Sequence, residues 1–283
     1  MRLLLLTTLT MVAFAANSVL NRWAVGLGHI GAVEFACIRL AAGALALVGL
    51  LTLQRGALTW PGTQGRLPGV LGLSAYLLGF SLAYRGLDAG TGALVLFGTV
   101  QVTMFAGALI QREPVPTRRW AGAVLALIGL TLIAAPHDGA LLPLGLMTLA
   151  GIGWGIYSLA GRGAKDPVAE TAWNFLLALP LVLPIGFAVG LARPDVAGVG
   201  LAVLSGAVTS GLGYALWYQV VPRLGAARAA VAQLTVPVIA ALGGSLLLAE
   251  VPGLWFWFAS ALVLGGVAVA SLPYRALTNR STQ

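Results

Sequence analysis

When the chain is shifted by 137 residues, Leu87, Ala93, Glu113, Trp120, Leu125 and Gly129 fall on Leu224, Ala230, Glu250, Trp257, Leu262 and Gly266. Self-similarity at a fixed offset means that one structural unit is used twice. Each copy holds five long apolar runs, and the odd number is what constrains the fold. If the runs cross a bilayer, the second copy lies upside down relative to the first, so a pseudo-twofold axis in the membrane plane relates the halves.

Lipid is the solvent such runs require. Residues are 59% hydrophobic and 8% charged, against the roughly 25% charge of an ordinary soluble domain. The runs predict helices at about 3–22, 31–53, 67–85, 90–111 and 117–135, then 141–161, 168–191, 196–220, 226–248 and 253–273. At about 20 residues per span, ten helices use nearly all of the 283 residues and leave no room for a soluble domain. The expected fold class is an all-α integral membrane protein of ten transmembrane helices. Residues 1–136 form the first five-helix repeat, residues 137–275 the second, inverted one, and residues 276–283 a cytoplasmic tail. The 38 glycines suit this class, because small residues let membrane helices approach closely.

The amino-terminal run also resembles a secretory signal, with Arg2, a leucine stretch and Ala13-Phe14-Ala15-Ala16. Its partner in the second half opposes removal: at an offset of 140, Phe14, Ser18 and Arg22 align with Trp154, Ser158 and Arg162. The lone cysteine, Cys37, has no disulfide or metal partner in the sequence and reads as packing. A formal charge of +8 would suit nucleic acid, yet the basic residues are dispersed through short loops. Topology accounts for them better. Twelve lie at the amino terminus, in the even-numbered loops and in the tail: Arg2, Arg55, Arg66, Arg112, Arg118, Arg119, Arg162, Lys165, Arg223, Arg228, Arg275 and Arg280. The opposite side carries Arg22, Arg85 and Arg193, with Arg39 inside the second helix. Positive charge collects on the cytoplasmic side, so both termini are expected there.

Several stretches carry a family resemblance. Ala229 to Pro237, reading AAVAQLTVP, is followed by Leu248-Ala249-Glu250 and by Gly265 and Gly266; the first copy answers with Ala93, Glu113, Gly122 and Gly129. Glu34 to Leu40, reading EFACIRL, places an arginine in the second helix. With these features the chain resembles the EamA type of the drug/metabolite transporter superfamily, and within it the bacterial aromatic amino-acid exporters. The resemblance implies a bacterial inner-membrane carrier that exports small amphipathic metabolites, amino acids among them, by alternating access. The expected partners are a small-molecule substrate and the lipid bilayer, with no nucleic acid, no cofactor and no metal, and ten helices with an internal pseudo-twofold make a monomer sufficient. A broad drug/metabolite exporter is the leading alternative, and a passive channel or membrane scaffold the alternative from another class. The sequence departs from symmetry at one point, since Pro237 pairs with Val100. A proline frees a backbone carbonyl, either to meet a ligand or simply to kink the helix.

Polar and aromatic residues at lipid depth usually face a cavity or another helix. Phe14, Asn17 and Asn21 share a face of the first helix, and Trp154, Tyr157 and Ser158 cluster on its repeat mate. Tyr76, Phe80 and Tyr84 recur every four residues on the third, while Tyr214, Trp217 and Tyr218 group on the eighth; Phe80 and Trp217 are repeat mates. With Thr99 and Gln233 they form the candidate substrate lining: Phe14, Asn17, Tyr76, Phe80, Thr99, Trp154, Tyr157, Ser158, Tyr214, Trp217 and Gln233. The other reading is packing between helices, with Tyr84 and Tyr218, near helix ends, anchoring at the interface. Arg39 pairs with Glu34 if both side chains bend, or else serves as a gate or a counter-charge for a carboxylate. Gly86, Gly90, Gly211, Gly213 and Pro237 are the expected bending points. Glu113 and Glu250, each followed by proline, read as caps at the amino ends of the fifth and tenth helices. No Asp, Glu or His occupies the middle of a predicted helix, which argues against a carboxylate-centred proton relay, leaving Glu34 and Glu170 near helix starts. Nor does any nucleophile with a base, metal-ligand spacing or phosphate loop point to an enzyme.

Overall fold

A computed structural model describes residues 1–112, 116–134, 141–162, 164–189, 194–224 and 226–271. Most of the described residues are helical, and none of them lies in a strand. The helices are α1 Arg2–Asn21, α2 Ala32–Arg55, α3 Arg66–Ala83, α4 Ala89–Ile110, α5 Thr117–Ala134, α6 Leu141–Ala160, α7 Pro167–Val189, α8 Val196–Leu204, α9 Gly213–Leu224, α10 Ala226–Gln233, α11 Thr235–Leu248 and α12 Leu254–Ser271. Nine segments among the described residues are long and apolar enough to cross a membrane. The predicted span at α5 is not among them. Glu113, His137, Arg193 and the tail fall outside the described residues.

The arrangement of polarity fits lipid. Leu4, Leu5, Leu45, Leu53, Leu246, Leu254 and Trp255 face outward, whereas Asn17, Asn21, Arg39, Ser81, Asn174, Ser205 and Ser210 are buried. Buried polar groups inside a bilayer must find protein partners, because no water is there to take their place. Helix ends follow local chemistry. Asp195 accepts from the Gly198 N–H at 2.7 Å and caps α8. Asp166 accepts from Ala169 N–H at 3.2 Å ahead of Pro167, the first residue of α7. Gly56 closes α2 at φ 78°, a left-handed conformation that glycine adopts without strain.

Three helices depart from the continuous spans expected. The first runs on through a π-helical turn, Arg22–Gly26. The eighth is widened by a π-helical segment, Ser205–Leu212, between α8 and α9. The ninth breaks at Leu234 into α10 and α11. Pro237 explains the break: it has no N–H to give the carbonyl of Gln233 four residues earlier. Its repeat mate is Val100, and α4 is unbroken.

Glycines set the closest crossings. Between α3 and α6, a Cβ on Gly72 would lie 2.6 Å from the Gly153 carbonyl, and one on Gly153 the same distance from the Gly72 carbonyl. Gly122 and Gly266 join α5 to α12 in the same reciprocal way, with Gly129 against the Ala259 carbonyl nearby. Gly86 packs on Pro143, Gly90 on Ala241 and Phe256, Gly211 on Ala46 and the Gly43 carbonyl, and Gly213 on Ala13. The four glycines among the expected bending points thus sit at helix contacts.

Candidate functional site

Seven of the predicted lining residues meet in one cluster of rings. Tyr214 of α9 is its hub, with ring centroids 5.7 Å from Phe14, 5.1 Å from Trp154 and 6.0 Å from Phe175. Trp217 stacks edge-on against Phe14 at 5.6 Å. From the other side Tyr76 lies 4.8 Å from Trp154 and 5.2 Å from Phe80, and Tyr157 lies 5.1 Å from Trp154. Such edge-on and tilted pairs add about 0.5–1.5 kcal/mol each beyond area burial. Phe14 and Trp154, which align across the repeat, therefore both pack on the Tyr214 ring.

Arg39 stands at the edge of this cluster, fully buried. Its Nε donates to Ser210 Oγ at 3.0 Å and its Nη2 to Tyr76 OH at 2.8 Å. The guanidinium carbon lies 5.2 Å from the Tyr76 ring and 5.0 Å from the Phe80 ring, within cation–π range. The expected pair with Glu34 is not formed. Five residues along a helix place two side chains about 140° apart, and the Glu34 carboxylate folds back over Gly31 at the start of its own helix. Gly206 makes the site possible: the Arg39 carbonyl occupies the space a Cβ there would need.

The remaining predicted residues lie around the ring cluster or apart from it. Asn17 is bonded to the widened segment. Its Oδ1 accepts from Ser205 Oγ at 2.8 Å, Thr209 Oγ1 at 2.5 Å and Ser210 Oγ at 3.3 Å, and its Nδ2 donates to the Thr209 carbonyl at 3.3 Å. Ser158 donates to the Trp154 carbonyl at 2.7 Å, within its own helix. Thr99 faces Gly151 in the seam between α4 and α6. Gln233, half-buried, ends α10 with its carbonyl released by Pro237. Tyr157 OH shares a 2.8 Å bond with Thr171 Oγ1, which donates to Tyr218 OH at 3.2 Å. Tyr84 is wholly buried against Gly92 and Phe80, not anchored at an interface.

Ion pairs gather at the two ends of the bundle. At one end Arg22 donates to Glu250 at 2.7 Å, and the second Glu250 oxygen accepts from the Ala89 N–H at 2.9 Å. Glu250 therefore caps α4, not α12 as its position in the sequence suggests, and ties α1 to α4. His29 and Asp195 pair at 2.7 Å at the same end. Backbone donation from Gly198, then the His29 contact, holds the Asp195 carboxyl below its ordinary range. At the other end Arg66 joins Glu170 at 3.1 Å and Asn174 at 2.7 Å beneath the Trp60 ring, and Arg55 pairs with Asp166. Burial raises the Asp166 carboxyl, but the Arg55 and Ala169 bonds outweigh it and the net direction is down. These partners were not legible in the sequence. The hydroxyl run Ser205–Ser210 within an apolar stretch was the available signal for the Asn17 and Arg39 contacts.

Among the described residues no group of three or more His, Cys, Asp or Glu gathers as metal ligands. A protein from Pseudomonas aeruginosa is 47% identical over 277 residues, covering 96% of this chain and 95% of that protein. An uncharacterised transporter from Archaeoglobus fulgidus is 25% identical over 205 residues, covering 71% of this chain and 74% of its own length. A crystal structure superimposes with a TM-score of 0.68 over 95% of this chain and 99% of the other, at 19% identity, which speaks to the fold alone. The profile of the EamA-like transporter family matches twice, over residues 1–135 and again over 141–272. Helical spans with polar groups turned inward, and a double match that takes in nearly the whole chain, lead to one assignment: this membrane protein belongs to the EamA-like transporter family.

Proposed function

We propose that this transporter exports small amphipathic metabolites, aromatic and other amino acids foremost, by alternating access around the ring cluster. The observation that carries the reading is convergence. Phe14, Tyr76, Trp154 and Tyr214 come from α1, α3, α6 and α9, two pairs of repeat-related helices, and meet beside a buried arginine. Rings supply affinity for an apolar body, while hydroxyls, amides and the carbonyl freed at Gln233 supply donors and acceptors for its polar end.

The architecture proposed is ten spans in two inverted halves with both termini cytoplasmic in a bacterial inner membrane. Two observations support it. The family profile matches each half separately. The Gly122–Gly266 contact also becomes the Ala259–Gly129 contact when each residue is exchanged for its mate 137 residues away, as a twofold relation requires. The packing of α5 along α12 through these glycines supports counting it among the spans. In this mechanism the hairpin of α3 and α4 and the hairpin of α8 to α11 rock around a central cavity, and one chain is sufficient. Reconstituted Trp154→Ala and Gln233→Ala variants test the site: both should insert normally and carry substrate several-fold more slowly. Unchanged uptake would remove these residues from the pathway.

A further inference from the structure

Among the described residues Arg39 has no counter-ion. Its guanidinium is fully buried, and none of the ion pairs among the described residues includes it. Arginine stays protonated in proteins, so the charge cannot be shed. A buried charge of this kind is normally paired, and removing water without supplying a partner costs several kcal/mol. Serine, tyrosine and two ring faces soften the cost but do not neutralise it.

The bonding is also incomplete in a definite direction. Nε and Nη2 have partners, whereas Nη1 has none. The Tyr214 hydroxyl, on a side chain 3% exposed, is likewise without a partner. It lies beside the guanidinium and Tyr76. Two buried donors with nothing to donate to, next to one uncompensated positive charge, lack the same thing: an anionic oxygen acceptor. The buried carboxylates among the described residues do not provide it, since Glu34 turns to Gly31 and Glu170 is held by Arg66.

We infer that Arg39 Nη1 and Tyr214 OH form a carboxylate subsite, in which the substrate's own carboxylate is the missing counter-ion. The inference rests on the transporter reading and narrows it to solutes carrying one carboxylate on an apolar, preferably ring-bearing, body. A carboxylate matches the planar guanidinium fork. One positive charge balances a monoanion, so a doubly charged phosphate is the poorer fit. The surrounding rings of Tyr76, Phe80, Trp154 and Phe14 would hold the apolar portion.

The probes are acetate, benzoate, 3-phenylpropionate and phenylalanine, each beside its amide. Binding is read as ligand-induced thermal stabilisation of the purified protein, and transport as competition for uptake in proteoliposomes. The expected result is that carboxylates bind and amides bind at least tenfold more weakly. Tyr214→Phe, which keeps the ring, should weaken the carboxylates about tenfold, the loss of one hydrogen bond to a charged group, and the amides by less, because a neutral carbonyl accepts a weaker bond. Arg39→Lys should retain part of the preference and Arg39→Gln should abolish it; if neither folds, Tyr214→Phe decides alone. Equal binding of acid and amide, carboxylates that fail to bind, or a Tyr214→Phe variant with intact preference would each overturn the subsite. Saturable transport persisting without carboxylate preference would sink the subsite alone, whereas Tyr214-dependent carboxylate binding without any transport would sink the transporter reading and leave the subsite standing.

Discussion

Gly206→Ala adds a single methyl group where the Arg39 carbonyl already stands, with Ala42 Cβ 2.9 Å from the same point. Both obstacles belong to α2, one of them to its backbone, so no rotamer change relieves the clash. Restoring an ordinary C···O separation of about 3.3 Å requires α2 and the π-helical segment to part by about 1 Å. That displacement stretches the 3.0 Å bond from Arg39 Nε to Ser210 Oγ beyond hydrogen-bond range. Overpacking costs about 1–3 kcal/mol and a buried donor left unmade about 1–3 kcal/mol; because the two overlap, the sum should be about 2–4 kcal/mol. Gly200→Ala and Gly49→Ala are the controls, since nothing lies within 4 Å of a Cβ at either position. Reversible denaturation in detergent, followed by the fraction of monodisperse protein, should rank Gly206→Ala far below both controls, with loss of uptake in the survivor. A Gly206→Ala protein as stable as Gly200→Ala would refute the idea that this glycine lets Arg39 and Ser210 meet.

Glu250→Gln keeps an acceptor for Ala89 but removes the charge facing Arg22; with side chains 21% and 10% exposed the pair is partly screened, so the loss should be about 1–2 kcal/mol, and Glu250→Ala should lose more in the same denaturation measurement. Tyr157→Phe deletes the bond to Thr171 and should cost about 1 kcal/mol; a variant as stable as the parent would show that the bond is not contributing. Asp166 and Asp195 both have carboxyl pKa values held below the ordinary one. Their contribution is therefore complete above about pH 3.9 and is lost as pH falls through the lowered values; acid titration of stability should show that limb, and Asp166→Asn with Asp195→Asn should flatten it. Cys37, buried between α2 and α7 with its thiol directed at the Val182 carbonyl, should resist maleimide in the folded protein and react on denaturation; rapid labelling of the native protein would contradict that packing.

What could be read from the sequence was what local pattern dictates. Helix positions follow from runs of apolar residues, and the break near Pro237 follows from one missing N–H. The ring-bearing faces of α1, α3, α6 and α9 came from spacing along single helices, and the structure brings them together. Partners chosen by tertiary packing were not legible. Glu250 lies beside Pro252 and so reads as a cap for its own helix, yet its carboxylate reaches Ala89, 161 positions away in the chain. Arg39 and Glu34 are close in number but point to different sides of α2. Asn17 meets hydroxyls on a π-helical segment, whose widening has no signature in hydropathy. Tyr84 sits near a helix end, where anchoring is the usual reading, but Gly92 leaves room for its ring and the side chain is buried.

The central claim is that this chain turns over a solute through a saturable site. Counterflow measures that most directly: proteoliposomes loaded with unlabelled tryptophan, phenylalanine or threonine are diluted into trace labelled solute, with and without an imposed pH gradient. The account predicts saturable uptake, accelerated by internal substrate and fastest for the ring-bearing amino acids. Uptake that rises linearly with concentration and ignores the internal solute would contradict it and identify a channel.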